Sequence, residues 1–173
     1  RRDESERRDL TNIKGSIIQD KINMSGLKYA PSTNEPEPMD DMVKFLFESI
    51  DNDAPSNSIF FQFRAFLTNI SDKHDGQWNN IRYVGRGDKF HIYEGYDRGI
   101  AFNFTVAPQT REEMKPLIQK LNFLASNLAP DYNKAGRMRC SFMKLTIGDY
   151  FVKLPGFITS LNYIIKDEAP WDI

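Results

Sequence analysis

The sequence predicts a mainly β fold with some helix: an antiparallel β-sandwich with one flanking helix, preceded by an extended N-terminal arm. Three observations carry that reading. From Ser58 onward apolar side chains recur at every second residue, the period of a half-buried strand. One segment, 110–128, replaces that rhythm with a helical stripe. The residues before Ser58 hold charge runs and prolines. The expected division is therefore 1–57 as arm and linker and 58–173 as the domain.

Residues 1–9, RRDESERRD, alternate charge signs with no apolar side chain, as a solvated arm does. Ile13, Ile17, Ile18 and Ile22 suit a short amphipathic turn that Gly15 and Gly26 weaken. Residues 31–38, PSTNEPEP, hold three prolines and read as a linker. Met39, Met42, Val43, Leu46, Phe47 and Ile50 then recur at helical spacing behind Asp40 and Asp41. That predicts a helix near 39–50 whose Met42, Val43, Leu46, Phe47 and Ile50 dock the arm, since so short a helix is marginal alone. Asp51–Ser58, with Pro55, is a second break.

Ile59–Ile70 is expected as a strand with Phe61, Phe63, Ala65 and Leu67 on one face and Phe60 and Phe66 on the other. Ser71–Gln77 reads as a polar loop, Trp78–Val84 as a strand and Gly85–Asp88 as a turn. Lys89–Glu94 and Ile100–Ala107 form a predicted hairpin joined through Gly95–Gly99. In its second arm Ile100, Phe102, Phe104 and Val106 point one way and Ala101, Asn103 and Thr105 the other. Thr110 and Glu113 fit a capping box. Behind them Met114, Leu117, Ile118, Leu121, Leu124, Ala125 and Leu128 make one helical stripe. Pro116 predicts a kink or a helix that starts near Lys115, and Pro130 ends it. A loop at Asp131–Gly136 leads to strands Met138–Ile147, Tyr150–Leu154 and Phe157–Ile165, with turns at Gly148-Asp149 and Pro155-Gly156.

At 173 residues, 40% hydrophobic and 27% charged, the chain has the size of one domain plus an appendage. A mean hydropathy of −0.55 points to a part that does not pack. The formal net charge of −1 removes a bulk attraction to duplex DNA or an anionic membrane. One cysteine, Cys140, excludes an internal disulfide and a four-cysteine zinc site. No apolar run approaches the ~20 residues of a spanning helix and the charged start is not a signal peptide, so no membrane partner is expected. Residue 1 is Arg, read as the start of a processed product or of an excerpt from something longer.

Chemistry-bearing residues favour plain readings. His74 and His91 lack the convergent ligands that zinc needs, so no metal is expected. Cys140 alternates with Met138 and Phe142 as a small buried hydrophobe would. Gly85-Arg86-Gly87-Asp88-Lys89 fails the dinucleotide fingerprint because Phe stands at position 90, and Gly and Asp suit a tight turn. Ser71, Asp72 and His74 are triad residue types too close in sequence to reach triad geometry by themselves. Asp72, Asp75, Asp88, Glu94 and Asp97 show no calcium spacing and read as solvated carboxylates. The aromatic residues, 13% of the chain, sit mostly at alternating strand positions, so core packing is favoured over stacking on bases or sugars. No cofactor motif is present.

Met143-Lys144-Leu145-Thr146-Ile147-Gly148-Asp149-Tyr150, then Leu154-Pro155-Gly156-Phe157-Ile158-Thr159-Ser160-Leu161, then Ala169-Pro170-Trp171-Asp172-Ile173, resembles a signature of tube-type baseplate proteins of contractile-tailed bacteriophages. These proteins cap or initiate the tail tube. The upstream helix, with Met114-Lys115-Pro116-Leu117, Leu121-Asn122-Phe123-Leu124-Ala125-Ser126 and Ala129-Pro130, is similar to the same group. The resemblance spans roughly residues 58–173. In that family one further strand and a short tail follow, so the chain is expected to be one strand short or to continue past Ile173.

The resemblance implies a tail-tube β-sandwich with a flanking helix, six copies joined edge to edge, and hairpins merged into an inner barrel through which DNA passes. It implies a structural virion protein at the baseplate–tube junction, assembled in the host cytoplasm. Its partners would be copies of itself and neighbouring tail tube and baseplate proteins, with no sequence-specific DNA binding and no catalysis. Under it, Phe61, Phe63, Phe90, Ile92, Phe102 and Phe104 belong to the ring barrel, and Ala101, Asn103 and Thr105 face the lumen. Lys89, His91 and Tyr93, if paired with them, would make that face polar. The alternative from the binding class is a free β-sandwich module that takes a glycan or peptide through aromatic and Asp-rich loops. The enzyme reading has no triad, paired-carboxylate spacing or cofactor motif behind it.

Overall fold

The computed structural model describes residues 20–31 and 43–165. The expected arm 1–9, most of the linker, Met42 and the Ala169–Ile173 part of the resemblance lie outside them. The chain is mainly β, with antiparallel sheets and few helices. It divides into two units, residues 1–64 with 107–173, and residues 65–106.

The first unit holds a five-stranded antiparallel sheet. Its strands are β1 (Lys28–Pro31), β2 (Phe45–Ile50), β3 (Asn57–Gln62), β8 (Met143–Ile147) and β9 (Phe151–Gly156), in the order β1-β3-β2-β8-β9. The helix expected near 39–50 is therefore replaced by the middle strand of this sheet. Phe45–Ser49 are buried on both faces, so the alternation that marks a half-buried strand is hidden. The surviving apolar spacing fits a helix equally well. Pairing with β3 (Phe47↔Phe61) and with β8 (Phe47↔Leu145) decides the outcome. Leu46 and Phe47 are core residues, Ile50 is half-buried at the strand end, and Val43 is exposed before it. A boundary at 57/58 would cut through the core.

One face of the sheet carries an aromatic cluster. Phe47 stacks on Phe61 at 5.4 Å, and Phe63 lies 5.9 Å from both in edge contacts. Such pairs add about 0.5–1.5 kcal/mol each beyond area burial. The second helix, α2 (Arg111–Ser126), lies on this face: Phe123 meets Phe61 edge-on at 5.4 Å, and Ser49 donates to Asn127 at 2.7 Å. On the opposite face the buried carboxylate of Glu48 accepts from Ser58 Oγ and Lys144 Nζ, both at 2.8 Å.

Helix α2 starts at Arg111 behind Thr110 and runs through Pro116. Its buried line is Glu113, Leu117, Lys120 and Leu124, while Ile118 and Leu128 are exposed, so the helix is rotated from the predicted stripe. Two charges accompany Leu117 and Leu124 because they hold down the first helix, α1 (Lys21–Met24). Lys120 Nζ donates to the carbonyls of Ile22 (3.0 Å), Asn23 (3.3 Å) and Gln62 (2.8 Å). Glu113 accepts from the backbone N–H of Asp20 and Gln109, from Asn23 Nδ2 and from the Thr110 hydroxyl, at 3.1–3.2 Å. Asp20 caps α1 through the N–H of Ile22 and Asn23 and pairs with Arg64 at 2.6 Å. Burial pushes the Lys120 ammonium down to about 8 against the pull of Asp20. Burial also raises Glu113, but its hydrogen bonds outweigh that and hold it below the usual carboxylate range.

Downstream, the expected strand 138–147 is split into β7 (Met138–Arg139), which pairs with β6 (Asp131–Tyr132), and β8. The turn at Gly148 is as expected: φ is +51°, and Tyr150 N–H bonds to Ile147 O at 3.2 Å. Pro155-Gly156 lies inside β9, and 157–165 holds no strand. Cys140 is exposed on the link from β7 to β8, so it is not the buried hydrophobe that alternation suggested. Both sheet edges are blunted. β1 is four residues long and ends in Pro31; β9 has Lys153 at φ +49° and carries Pro155.

The second unit is one hairpin of two 17-residue strands, β4 (Phe66–Arg82) and β5 (Lys89–Thr105). The chain reverses at 83–88, where Gly85 has φ +87°. The predicted loop 71–77 and connection 95–99 are both strand, because they pair with each other: Lys73↔Gly99, Asp75↔Asp97, Gln77↔Gly95. Polar residues there need no burial, so composition alone reads as loop. The hairpin expected within 89–107 is thus a single strand of a longer one.

Candidate assembly surface

The β4–β5 register sorts the hairpin's side chains into two faces. Face one carries Leu67, Ile100, Phe102 and Phe104 near the root, then Asp72, His74 and Arg98, then Tyr96, Trp78 and Tyr93 toward the turn. Contacts agree with the register: Arg98 forks onto Asp72 at 2.9 and 2.7 Å, and Trp78 meets Tyr93 edge-on at 5.1 Å. Face two carries Thr68, Asn103, Ser71, Ala101, Lys73, Asp75, Asp97 and Gln77.

The register shifts at Gln77/Trp78, leaving Glu94 as an extra residue in β5. Because side chains alternate, one extra residue exchanges the faces beyond it. Phe90 and Ile92 therefore share a face with Ala101, Asn103 and Thr105, not with Phe102 and Phe104 as the sequence suggested. Lys89, His91 and Tyr93 move to the face of Phe102 and Phe104. Phe61 and Phe63 leave the ring-barrel set altogether, being core residues of the first unit. The structure brings Phe102 with Phe104 (6.2 Å) and leaves both half-buried.

Sequence reasoning missed Trp78, Ile81, Tyr83, Tyr93 and Tyr96 as surface groups. Trp78 is 59% exposed, Tyr93 53%, Ile92 49% and Phe90 42%. The signal that locates them is mirror symmetry: Trp78 and Tyr93, and likewise Ile81 and Phe90, lie equally far from the turn.

Asp72 and His74 do meet, with His74 Nε2 3.2 Å from Asp72 Oδ2, and the other ring nitrogen of His74 bonds to the Tyr96 hydroxyl. Ser71 lies on the opposite face, so no triad forms. The Arg98 guanidinium holds the Asp72 carboxyl below the usual range, and Asp75 raises Lys73. Among the described residues no group of three or more His, Cys, Asp or Glu is arranged to hold a metal ion, and no helix is long and apolar enough to cross a membrane. The Gly85–Lys89 segment is the hairpin turn and its exit.

Each hairpin strand has one partner among the described residues, so alternate N–H and C=O groups along both outer edges point away from it. Over 17 residues that is about eight of each per edge, with no proline to interrupt them. No protein-family model, curated protein or solved structure matches the chain.

Proposed function

We propose that this chain is a structural ring subunit of a contractile phage tail, at the baseplate–tube junction, whose hairpins pair edge to edge into a barrel around a lumen. The observation that carries the reading is the contrast between edges: the five-stranded sheet ends in short, proline-bearing strands, while the hairpin leaves two 17-residue edges open among the described residues. A two-stranded hairpin is at best marginal in water, and pairing with sister copies completes its hydrogen bonds. The likeness of 58–173 to tube-type baseplate proteins supplies the setting. A helix flanking an antiparallel sheet supports the β-rich, helix-flanked part of that reading.

The middle of face two suits a lumen, with Ala101, Asn103, Thr105, Thr68 and Ser71 beside one cation, Lys73, and two carboxylates, Asp75 and Asp97, while Phe66 at the root and Ile81, Phe90 and Ile92 toward the turn make its two ends apolar. A wall without excess positive charge lets DNA slide without strong binding. Six hairpins give twelve strands and a backbone diameter of about 24 Å at the usual tilt and spacing. Side chains narrow that below a DNA duplex of roughly 20 Å. Duplex passage therefore asks for about sixteen strands or more, supplied by further copies or by hairpins of neighbouring tail proteins.

Native mass spectrometry and electron micrographs of the chain, with and without those neighbours, test this. Closed rings or stacks are expected. Monomers at high concentration, with no ring and no dependence on partners, would refute it. A glycan array should be silent; a specific glycan hit would favour the free binding module.

A further inference from the structure

Resting on that ring reading, we infer that sister hairpins are held together chiefly by side chains of the third nearest the turn, residues 78–93, seated against a second copy of this chain. Near the root face one is apolar, and face two is polar apart from Phe66. Beyond the Glu94 bulge Ile81, Phe90 and Ile92 are exposed on face two, and face one carries Trp78 and Tyr93 beside Asn80, His91, Arg82 and Lys89. Five large apolar or aromatic side chains exposed on one third of a hairpin form a patch that association would cover. Tyr83 packs edge-on against Phe90 at 5.3 Å and widens the patch.

The occupant follows from which strands carry the patch. A closed ring joins the β5 edge of one copy to the β4 edge of the next, head to tail. Rotation about the ring axis leaves height unchanged, so the turn-side third meets the same third of its neighbour. Within the stagger of a few residues that strand tilt imposes, Phe90, Ile92 and Tyr93 on β5 then lie beside the stretch of the next β4 that holds Trp78 and Ile81. Aromatic and β-branched neighbours of this kind are the pairs that stabilise sheets. At the root, Phe66 and Ile70 are also exposed, but both belong to β4. On the face of Phe66 the β5 edge offers Ala101, Asn103 and Thr105, and on the face of Ile70 it offers Ile100, Phe102 and Phe104, which are already half-buried.

Sedimentation velocity over a concentration series compares the full chain with Ile81→Thr/Phe90→Thr and with Phe66→Thr/Ile70→Thr. Threonine keeps strand propensity in both. The turn-side pair should raise the concentration of half-assembly about tenfold or more, and the root pair by less than about threefold. Equal effects, or a larger one at the root, would overturn the inference while the ring stands. A wild-type chain monomeric throughout would remove the ring reading and this inference together. In a Trp171→Phe background Trp78 is the single tryptophan, since the chain has two. Its emission should shift to shorter wavelength as rings form, and rings forming with no shift would count against the inference, whatever the variants do.

Discussion

Lys120 offers a prediction whose sign and size both come from the structure. Its ammonium is fully buried, donates to three carbonyls, and has its pKa pushed from 10.5 down to about 8 by burial. Between those values the unfolded chain keeps a proton that the folded one has released. Stability therefore rises with pH across that window and falls again as pH drops through 8. A difference of about 2.5 pH units corresponds to about 3 kcal/mol. Lys120→Met removes the group while keeping most of its length. Urea unfolding followed by circular dichroism at pH 7.5 and pH 10.5 gives four stabilities. The gap between wild type and variant should change by about 3 kcal/mol in favour of wild type at the higher pH, with all other titrations cancelling. Parallel pH profiles would refute the assignment of a buried, proton-shedding lysine.

Other perturbations test the same packing. Gly148→Ala places a Cβ 2.9 Å from Val43 Cγ1 at φ +51°, and urea unfolding should show a loss of about 1–2 kcal/mol that Val43→Ala recovers in part. Phe61→Ala removes a ring that is 1% exposed and touches Phe47, Phe63 and Phe123; about 3–5 kcal/mol should be lost in the same assay. Glu113→Gln turns one acceptor into a donor facing donors and should cost about 2 kcal/mol at neutral pH. Since the folded value of Glu113 is lowered, its stabilisation is present above the ordinary carboxylate range and lost as pH falls through the folded value. The variant's stability should accordingly decline less on acidification.

Legibility in the sequence followed how much of each element's burial was one-sided. Helix α2 was readable because Leu117 and Leu124 face the sheet while its other side meets water, although the buried line also took in Glu113 and Lys120. Those two were visible only as charges in step with that pair of leucines. Strand β2 was unreadable because both its faces are covered, so no alternation survives in Phe45–Ser49. The middle of the hairpin failed for the opposite reason: Ser71–Gln77 is polar and wet, and only its partner 95–101 makes it a strand. The prediction that Ala101, Asn103 and Thr105 lie together opposite Phe102 and Phe104 needs only local alternation and agrees with the register. Extending the same phase to Phe90 and Ile92 crosses the bulge at Glu94, which depends on β4 and leaves no local mark. The proposed ring closure would involve other copies, and a single chain's pattern carries it only as open edges.

Hydrogen exchange along residues 66–82 and 89–105, followed from dilute to concentrated protein, is the most direct test of those open edges. Outward-pointing amides of both strands should become protected as concentration rises, while the edge amides of β1 and β9 stay unchanged. Fast exchange at those hairpin amides at every concentration, with or without neighbouring tail proteins, would contradict the account.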